Sequence, residues 1–379
     1  MTEMWVPYGP VEVSFDIKQE NLSHILEPQP QKVNQEDLEK TVDIVSEDTV
    51  LILSGTHGTQ KVLDLLLTRN KGIKKILHPK NLGALARRKA QEFLIEAEPF
   101  NLESLVDTGL VDGAPARVPS QLKTSNKLLL LTSLHYDPLY GLTSAASDAV
   151  SLVSELKEQA FKRSSDELPC PPKKSNASWY STRVLQSCSQ IKVIEVVEKT
   201  AIGLLAVFYG ECESAHSQAL EFWTKTLSTE LPAKSERVIF GCGGLESDRT
   251  LTEALARSFF QIATNVALQD SEAKVCMLAE CSQGLGSEAL LRFVTGRYEP
   301  RAKLDTVSYF DGLEVLLSFY KVQRDLQLSI LTTLPKFYAS KFEFKTIGGA
   351  REAPSSLVQL GSRAKILVVT DASTTYFPI

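Results

Sequence analysis

Three side chains of this sequence stand where they can transfer protons, namely His57, His135 and Glu253. Each histidine follows an apolar run that predicts a buried strand, and Glu253 follows a glycine pair at the start of a helical pattern. Imidazoles titrate near neutral pH, so they can remove or return the proton of a substrate hydroxyl. We therefore predict these three as catalytic residues. The alternatives are a turn-capping histidine at 57 and, at 253, an acid that complements a helix dipole.

The loop that follows the apolar run KLLLLTSL (127–134) is rich in polar side chains. It contributes Asp137, Tyr140 and Ser147 as predicted substrate-binding residues, and Arg249, beside Glu253, is a fourth. A polar pocket is one interpretation of the loop. Asp137 before a proline equally initiates a turn, and its serines equally cap the next helix, which is the interpretation we favour for them.

The elements that carry these residues predict the fold class. Residues 236–293 read as strand, loop, helix and strand, with glycine-bearing loops at both strand ends, where α/β proteins place ligands. Elsewhere apolar strands also alternate with helical patterns, which is typical of parallel sheets. We predict an α/β fold with two domains, parallel or mixed sheets flanked by helices, and an active-site cleft between the domains.

A chain of 379 residues is long for one domain. We place an N-terminal α/β domain at 1–160 and a C-terminal α/β domain at 179–379. Residues 161–178 are rich in Pro, Ser and Lys and predict a linker or an exposed loop. The terminal stretch 364–379 begins with a strand that can pack on either domain.

Composition excludes several classes of function. The formal net charge of −5 argues against a general nucleic-acid binder, and no apolar run approaches the roughly 20 residues of a membrane span. The first residues lack the basic and apolar regions of a signal peptide, so we expect a cytoplasmic protein. The six cysteines include no CxxC pair, which predicts buried, inert thiols instead of a metal site or disulfides.

Two stretches carry a resemblance to a known family. They are IKVIEVVEKTAIGLLAVFYGECESAHSQALEFW (191–223) and GGLESDRTLTEALARSFFQIATNVALQDSEAKVCMLAECSQGLGSEALLRF (243–293). Looser matches occur at TVLILSGTHGT and KLLLLTSLHYDPLYGLTSAAS, and near both ends at VPYGPVEVSFDIKQENL and AKILVVTDA. In their order and spacing these segments resemble the nickel-dependent lactate racemase family, and together they cover most of the chain.

The resemblance implies two α/β domains with an active site between them. Members of the family racemise or epimerise 2-hydroxy acids by hydride transfer to a nickel pincer cofactor derived from a pyridinium nucleotide. A lysine tethers that cofactor, a histidine binds the nickel, and two further histidines act as acid and base. A histidine like His216 occurs in the family outside the active loops, so we interpret His216 as structural.

Position by position, much of that chemistry is missing from this chain. His57 is retained, but Thr59 stands where the family has an arginine that grips the substrate carboxylate, so we assign Thr59 to substrate binding. With Gly141 aligned, Asp137 takes a histidine position, His135 lies two residues away, and Ser147 takes the lysine position. There is no histidine from 136 to 215, where the nickel ligand is expected.

These losses set the predicted function. The chain is expected to be a lactate-racemase-like protein unable to do nickel-pincer racemisation, acting as a non-catalytic or small-carboxylate-binding relative. The alternative is a diverged isomerase, a racemase or epimerase acting on a small 2-hydroxy acid. We predict no metal site and no cofactor, with the nickel pincer nucleotide only if the family chemistry is retained. The expected partner is a small carboxylate or hydroxy acid, with no nucleic acid and no membrane, and a protein partner is left open.

Overall fold

The computed structural model describes residues 1–125, 127–173, 175–188, 191–200, 202–232, 235–244, 247–267, 273–300, 308–358 and 363–377. Contacts divide the chain into two compact units. Unit 1 comprises Met1–Gln29, Tyr136–Pro138 and Leu227–Ile379, and unit 2 comprises Pro30–His135 and Leu139–Thr226.

Strands occur in both units. In chain order they are β1 Thr2–Tyr8, β2 Val11–Ile17, β3 Leu22–Leu26, β4 Thr49–Ile52, β5 Lys75–His78, β6 Glu96–Pro99, β7 Leu105–Val111, β8 Ala114–Pro119, β9 Leu128–Ser133, β10 Tyr136–Asp137, β11 Gly141–Leu142, β12 Ile191–Lys199, β13 Gly203–Glu211, β14 Arg237–Gly241, β15 Ala273–Leu278, β16 Leu326–Leu331, β17 Lys345–Thr346 and β18 Ile366–Val369.

The α-helices alternate with these strands. In chain order they are α1 Gln35–Asp43, α2 His57–Arg69, α3 Gly83–Phe93, α4 Ser120–Thr124, α5 Ala145–Ser151, α6 Ser154–Ser164, α7 Asn176–Gln186, α8 Cys212–Thr226, α9 Leu251–Ala254, α10 Phe260–Ala267, α11 Glu288–Val294, α12 Leu313–Val322, α13 Lys336–Lys341 and α14 Ala353–Leu357. A π-helical turn, Leu255–Phe259, joins α9 to α10.

The sheet of unit 2 has the strand order β13-β12-β9-β4-β5-β6. Neighbouring strands are parallel except β12 and β13, which form an antiparallel hairpin. The central strand β9, LLLLTS, is buried along its whole length, as expected for a strand of a sheet covered on both faces. Val62 and Leu66 of α2 pack against Ile52 and Leu131 in the hydrophobic core of this unit.

The sheet of unit 1 has the strand order β17-β16-β15-β14-β18-β3, and all neighbouring strands in it are parallel. The β1–β2 hairpin adds Val6 and Phe15 to a core that also contains Ile239 and Val368 of the sheet. The last strand, β18, lies between β14 and β3, so the returning C-terminal strand belongs to unit 1.

The predicted fold class is confirmed, because parallel and mixed sheets flanked by helices make up the chain. The compact units, however, are divided differently from the predicted domains 1–160 and 179–379. Strands β12 and β13 extend the sheet that contains β9, so they group with the N-terminal half. Residues 161–178 lie within unit 2, where they hold the end of α6 and the start of α7.

Two smaller differences concern local structure in unit 2. The apolar spacing of residues 82–97 predicts a helix over that whole stretch, but the helix ends earlier, because Leu94 has φ of 56° and the chain then enters β6. This left-handed conformation ends α3 at Phe93. The β7–β8 hairpin has no counterpart among the predicted elements.

Candidate functional site

The carboxyl edge of the unit 2 sheet collects both predicted catalytic histidines. Strands β4, β9 and β12 are parallel neighbours, so the loops after them leave the sheet at one edge. His57 follows β4, and Ser133 and His135 follow or end β9. Val196 of β12 is opposite Ser133, so Glu198 lies two residues beyond the end of β9. We call His57, Ser133, His135 and Glu198 the histidine edge.

His57 is the first residue of α2 and is exposed to solvent. Thr56 caps this helix, and its side chain accepts a hydrogen bond from the Thr59 amide. Thr59 is fully buried, and its hydroxyl lies 3.0 Å from the Ser54 carbonyl and 2.9 Å from the Thr56 carbonyl. The Thr59 side chain, predicted to bind substrate, is therefore engaged in the turn that starts the helix.

Glu198 was not among the predicted site residues, yet its carboxylate organises this edge. One oxygen, Oε2, accepts a hydrogen bond of 2.7 Å from the Gly58 amide, and Oε1 accepts one of 2.8 Å from the Ser133 hydroxyl. A Cβ on Gly58 would lie 2.8 Å from Oε2, so the close approach depends on glycine. The ladder between β12 and β13 shifts register between Val197 and Glu198, and such irregularities re-aim side chains.

His135 is half-buried beside Ser133. Its Nδ1 lies 3.1 Å from the Ser133 carbonyl oxygen and 3.1 Å from the Thr143 hydroxyl. Because a carbonyl only accepts, this contact favours the tautomer with the proton on Nδ1. The second ring nitrogen, Nε2, then carries the lone pair that a general base needs.

The remaining predicted residues of this loop have mainly structural surroundings. Ser144 and Ser147 form a capping box at the start of α5, with the Ser147 side chain fully buried, which confirms the favoured capping interpretation. Tyr140 is buried as well. Asp137 is assigned to unit 1, whereas Tyr140 and Ser147 are assigned to unit 2.

His216, interpreted from the sequence as structural, is in the first turns of α8 and contacts a buried acid. Its Nδ1 is 2.9 Å from Oε2 of Glu195, whose Oε1 accepts a hydrogen bond of 2.9 Å from the Ala145 amide. Glu195 is completely buried in β12. The carboxylate thus joins the starts of α5 and α8 to the central sheet.

Glu253 and Arg249 belong to unit 1 and meet at the start of α9. Glu253 completes a capping box with Thr250 and forms an ion pair with Arg249. This is the helix-start role that the sequence left open as the alternative. His57 and His135 are both in unit 2, so the predicted catalytic residues are divided between the units.

A second acid in unit 1, Asp248, is fully buried beyond the carboxyl end of β14. Its Oδ2 accepts hydrogen bonds from the amides of Gly9 at 2.9 Å and Glu280 at 3.1 Å. Its Oδ1 is buried and has no hydrogen-bond partner among the described residues. Burial raises the pKa of Asp248, opposed by the two amide hydrogen bonds, and burial likewise raises the pKa of Tyr8 to about 12.

Replacing Asp248 with alanine is expected to cost about 2 kcal/mol of stability, because two buried amides lose their acceptor. Asparagine keeps an acceptor for both amides, so its cost should stay below about 1 kcal/mol at neutral pH. The pKa of Asp248 in the folded protein is raised above its ordinary value of 3.8. Protonation of Asp248 therefore stabilises the folded protein below pH 3.8, and this contribution is lost as the pH rises through the folded-state pKa. Urea unfolding should therefore show that the stability of Asp248→Asn relative to wild type increases from pH 3.5 to pH 7. An equal effect of asparagine at both pH values would contradict the raised pKa.

The six cysteines are all buried and unpaired to one another, as the sequence predicts. Burial raises the pKa of Cys212 and of Cys281 to about 12. These thiols remain protonated at neutral pH and are poor nucleophiles.

Comparisons with known proteins bear on the fold. No protein-family model matches the chain, and no curated protein matches it. Among solved structures, the lactate racemase apoprotein from Thermoanaerobacterium thermosaccharolyticum has a TM-score of 0.77 and 14% identity, with 100% of each chain covered. The chain has the lactate racemase fold. A structural-genomics protein from Thermotoga maritima has a TM-score of 0.64 and 10% identity, over 90% of this chain and 96% of that one.

The residues present do not fit the cofactor of the nickel-dependent lactate racemase family. A tether needs a lysine amine, and the position that the resemblance assigns to it is Ser147, buried within a helix cap. Within the described parts of the chain, no three His, Cys, Asp or Glu side chains are grouped as metal ligands.

The helices described here include none with the length and apolar character of a membrane span.

Proposed function

We propose that this chain is a lactate-racemase-like protein that binds a small carboxylate and does not perform nickel-pincer racemisation. The lactate racemase fold supports a relationship to that family. With an identity of 14%, the likeness is one of fold. The helix cap at Ser147 supports the loss of the tether.

The observation that carries the proposal is the environment of the Glu198 carboxylate. An amide at the N-terminus of a thirteen-residue helix and a serine hydroxyl together hold this anion. Helix N-termini favour negative charge because their amides point outward and the macrodipole is positive there. The same two donors suit the carboxylate of a small acid, with His57 beside it at the start of the helix.

The alternative is a diverged isomerase acting on a small 2-hydroxy acid. It is favoured by the exposed ring of His57 and by the Nδ1 contact of His135, which favours the tautomer whose Nε2 has the lone pair of a base. In this reading one imidazole removes a proton from the substrate and the other returns one.

Incubation with each enantiomer of lactate, followed by chiral chromatography, separates the two functions. We expect no interconversion by the purified protein, and a millimolar dissociation constant for lactate by NMR titration. Native and denatured masses of protein from its own source check for a bound cofactor, and a native-only mass excess with a nickel isotope pattern would overturn the proposal. Turnover that disappears in the double variant His57→Gln and His135→Gln would establish the isomerase instead.

A further inference from the structure

A polar cavity of about 360 Å³ opens in unit 1 at the amino ends of β15 and β16. Asp248 contacts the opposite, carboxyl end of β15, so the cavity is separate from that acid. Polar and charged side chains form much of its lining: Lys274, Gln323, Gln327, Ser329, Glu343, Lys345 and Ser356.

The sheet face beneath this cavity changes from apolar to polar along β16. Alternate residues Gln327, Ser329 and Leu331 share one face of the strand. Leu331 belongs to the hydrophobic core, as does Cys276, which is opposite Ser329 in the parallel ladder. Strands of a sheet covered on both faces are normally apolar on both. Gln327, at the amino end, is exposed, whereas Ser329 is buried, so Ser329 is the polar residue on this face that packing alone does not require.

Gln323 is one of the residues that line the cavity, and its side chain has an unsatisfied acceptor. The residue is 7% exposed, and its Oε1 is buried with no hydrogen-bond partner in the described part of the chain. A buried acceptor without a donor is costly, so the native protein gains from any ligand that supplies one. A hydroxyl group is such a donor.

Two lysines supply positive charge to the same cavity. Lys274 is half-buried and Lys345 is exposed, and both line the cavity. On the neighbouring strands, Lys345 is opposite Ser329 and Lys274 is opposite Gln327. Ammonium groups attract phosphate and carboxylate, and serine hydroxyls add hydrogen bonds to either anion.

Glu343 opposes this charge from an unusual backbone conformation. It follows α13 with φ of 60°, the left-handed region in which glycine ends a helix at less cost. Glu343 is one of the residues that line the cavity. Glu343→Gly therefore removes a negative charge while suiting the backbone better, which makes it a useful variant.

We propose that this cavity binds a small hydroxylated anion, whose phosphate or carboxylate contacts Lys274 and Lys345 while the Gln323 side chain turns into the cavity and its Oε1 accepts from a hydroxyl. The site is independent of the histidine edge and of the function proposed for it. A cavity of this volume suits a ligand of the size of a three-carbon phosphate or acid.

Isothermal titration of the full chain with glycerol 3-phosphate, glycerate, inorganic phosphate and glycerol tests the assignment. We expect glycerol 3-phosphate or glycerate to bind at least tenfold more tightly than phosphate or glycerol. Whichever of the two binds more tightly identifies the anionic group. Lys274→Gln and Lys345→Gln should each weaken that binding about tenfold. The exposed lysine variant Lys336→Gln, outside the cavity lining, should leave it unchanged.

Two further variants distinguish a ligand-binding site from a crevice that holds only water. Gln323→Met should reduce the affinity for glycerol 3-phosphate to that for phosphate while raising the melting temperature of the free protein. Glu343→Gly should tighten anion binding several-fold. Absence of binding at tens of millimolar, or equal affinities in wild type and both lysine variants, would overturn the proposal.

Discussion

Replacement of Glu195 by alanine is expected to destabilise unit 2 by about 4 kcal/mol. The carboxylate is completely buried and accepts from the Ala145 amide while contacting Nδ1 of His216. Its removal leaves the buried Ala145 amide and the half-buried imidazole of His216 without this partner. It also opens a gap between β12 and the starts of α5 and α8. Glu195→Gln preserves the shape and one acceptor, so its cost should be about 1–2 kcal/mol.

Urea denaturation followed by tryptophan fluorescence measures this effect for unit 2 alone. The chain has three tryptophans, of which Trp179 and Trp223 are in unit 2 and Trp5 is in unit 1. In a Trp5→Phe background the signal therefore reports on the unit that contains Glu195. Glu211→Ala, which removes an exposed ion-pair partner of Lys192, is the matched control and should cost about 0.5 kcal/mol or less.

The contribution of the histidine is resolved by a double-mutant cycle. If Glu195 and His216 stabilise each other, the cost of Glu195→Ala should be smaller in a His216→Ala background, by about 1–3 kcal/mol. Additive costs would mean that the acid acts only through the Ala145 amide. A loss below about 1 kcal/mol for Glu195→Ala would contradict the structural role given to this pair.

The fold was predictable from the sequence because its strands are long apolar runs. LLLLTS and TVLI have the continuous apolar character of strands buried on both faces, and they became neighbouring parallel strands. The division into units was not predictable in this way. Composition marks 161–178 as irregular, but the grouping of β12 with β9 depends on strand pairing across about sixty residues, which no local pattern records.

The candidate site was predicted in part. His57 and His135 stand out because each follows such a strand, and the structure places both on one sheet edge. Glu198 is the last residue of the apolar run IKVIEVVE. In the sequence it looks like any polar residue at the end of a strand. Its role arises from the parallel register, which carries it past the end of β9 to the Gly58 amide. The signal that was available is an acid at the carboxyl end of a strand predicted to neighbour the histidine strands.

Glu198→Ala is expected to raise the affinity of unit 2 for small carboxylates about 100-fold, equivalent to about 2.8 kcal/mol. In the wild-type protein an incoming carboxylate competes with Glu198 for the Gly58 amide and the Ser133 hydroxyl. Hydrogen bonds to a charged group contribute about 1.5–3 kcal/mol each, so removal of this internal competitor should have a large effect. NMR titration with lactate and acetate measures the change, with the Gly58 amide resonance as the local probe.

Three variants determine whether the added carboxylate takes the place of Glu198. Glu198→Gln retains a neutral acceptor for the Gly58 amide and should give a smaller gain, of about tenfold. Adding Ser133→Ala to Glu198→Ala removes one of the two donors and should reverse about tenfold of the increase. Glu211→Ala removes an acid at the opposite end of the same hairpin and controls for the change in net charge. If Glu198→Ala and Glu211→Ala raise the affinity equally, the gain comes from net charge and the carboxylate does not bind between Gly58 and Ser133.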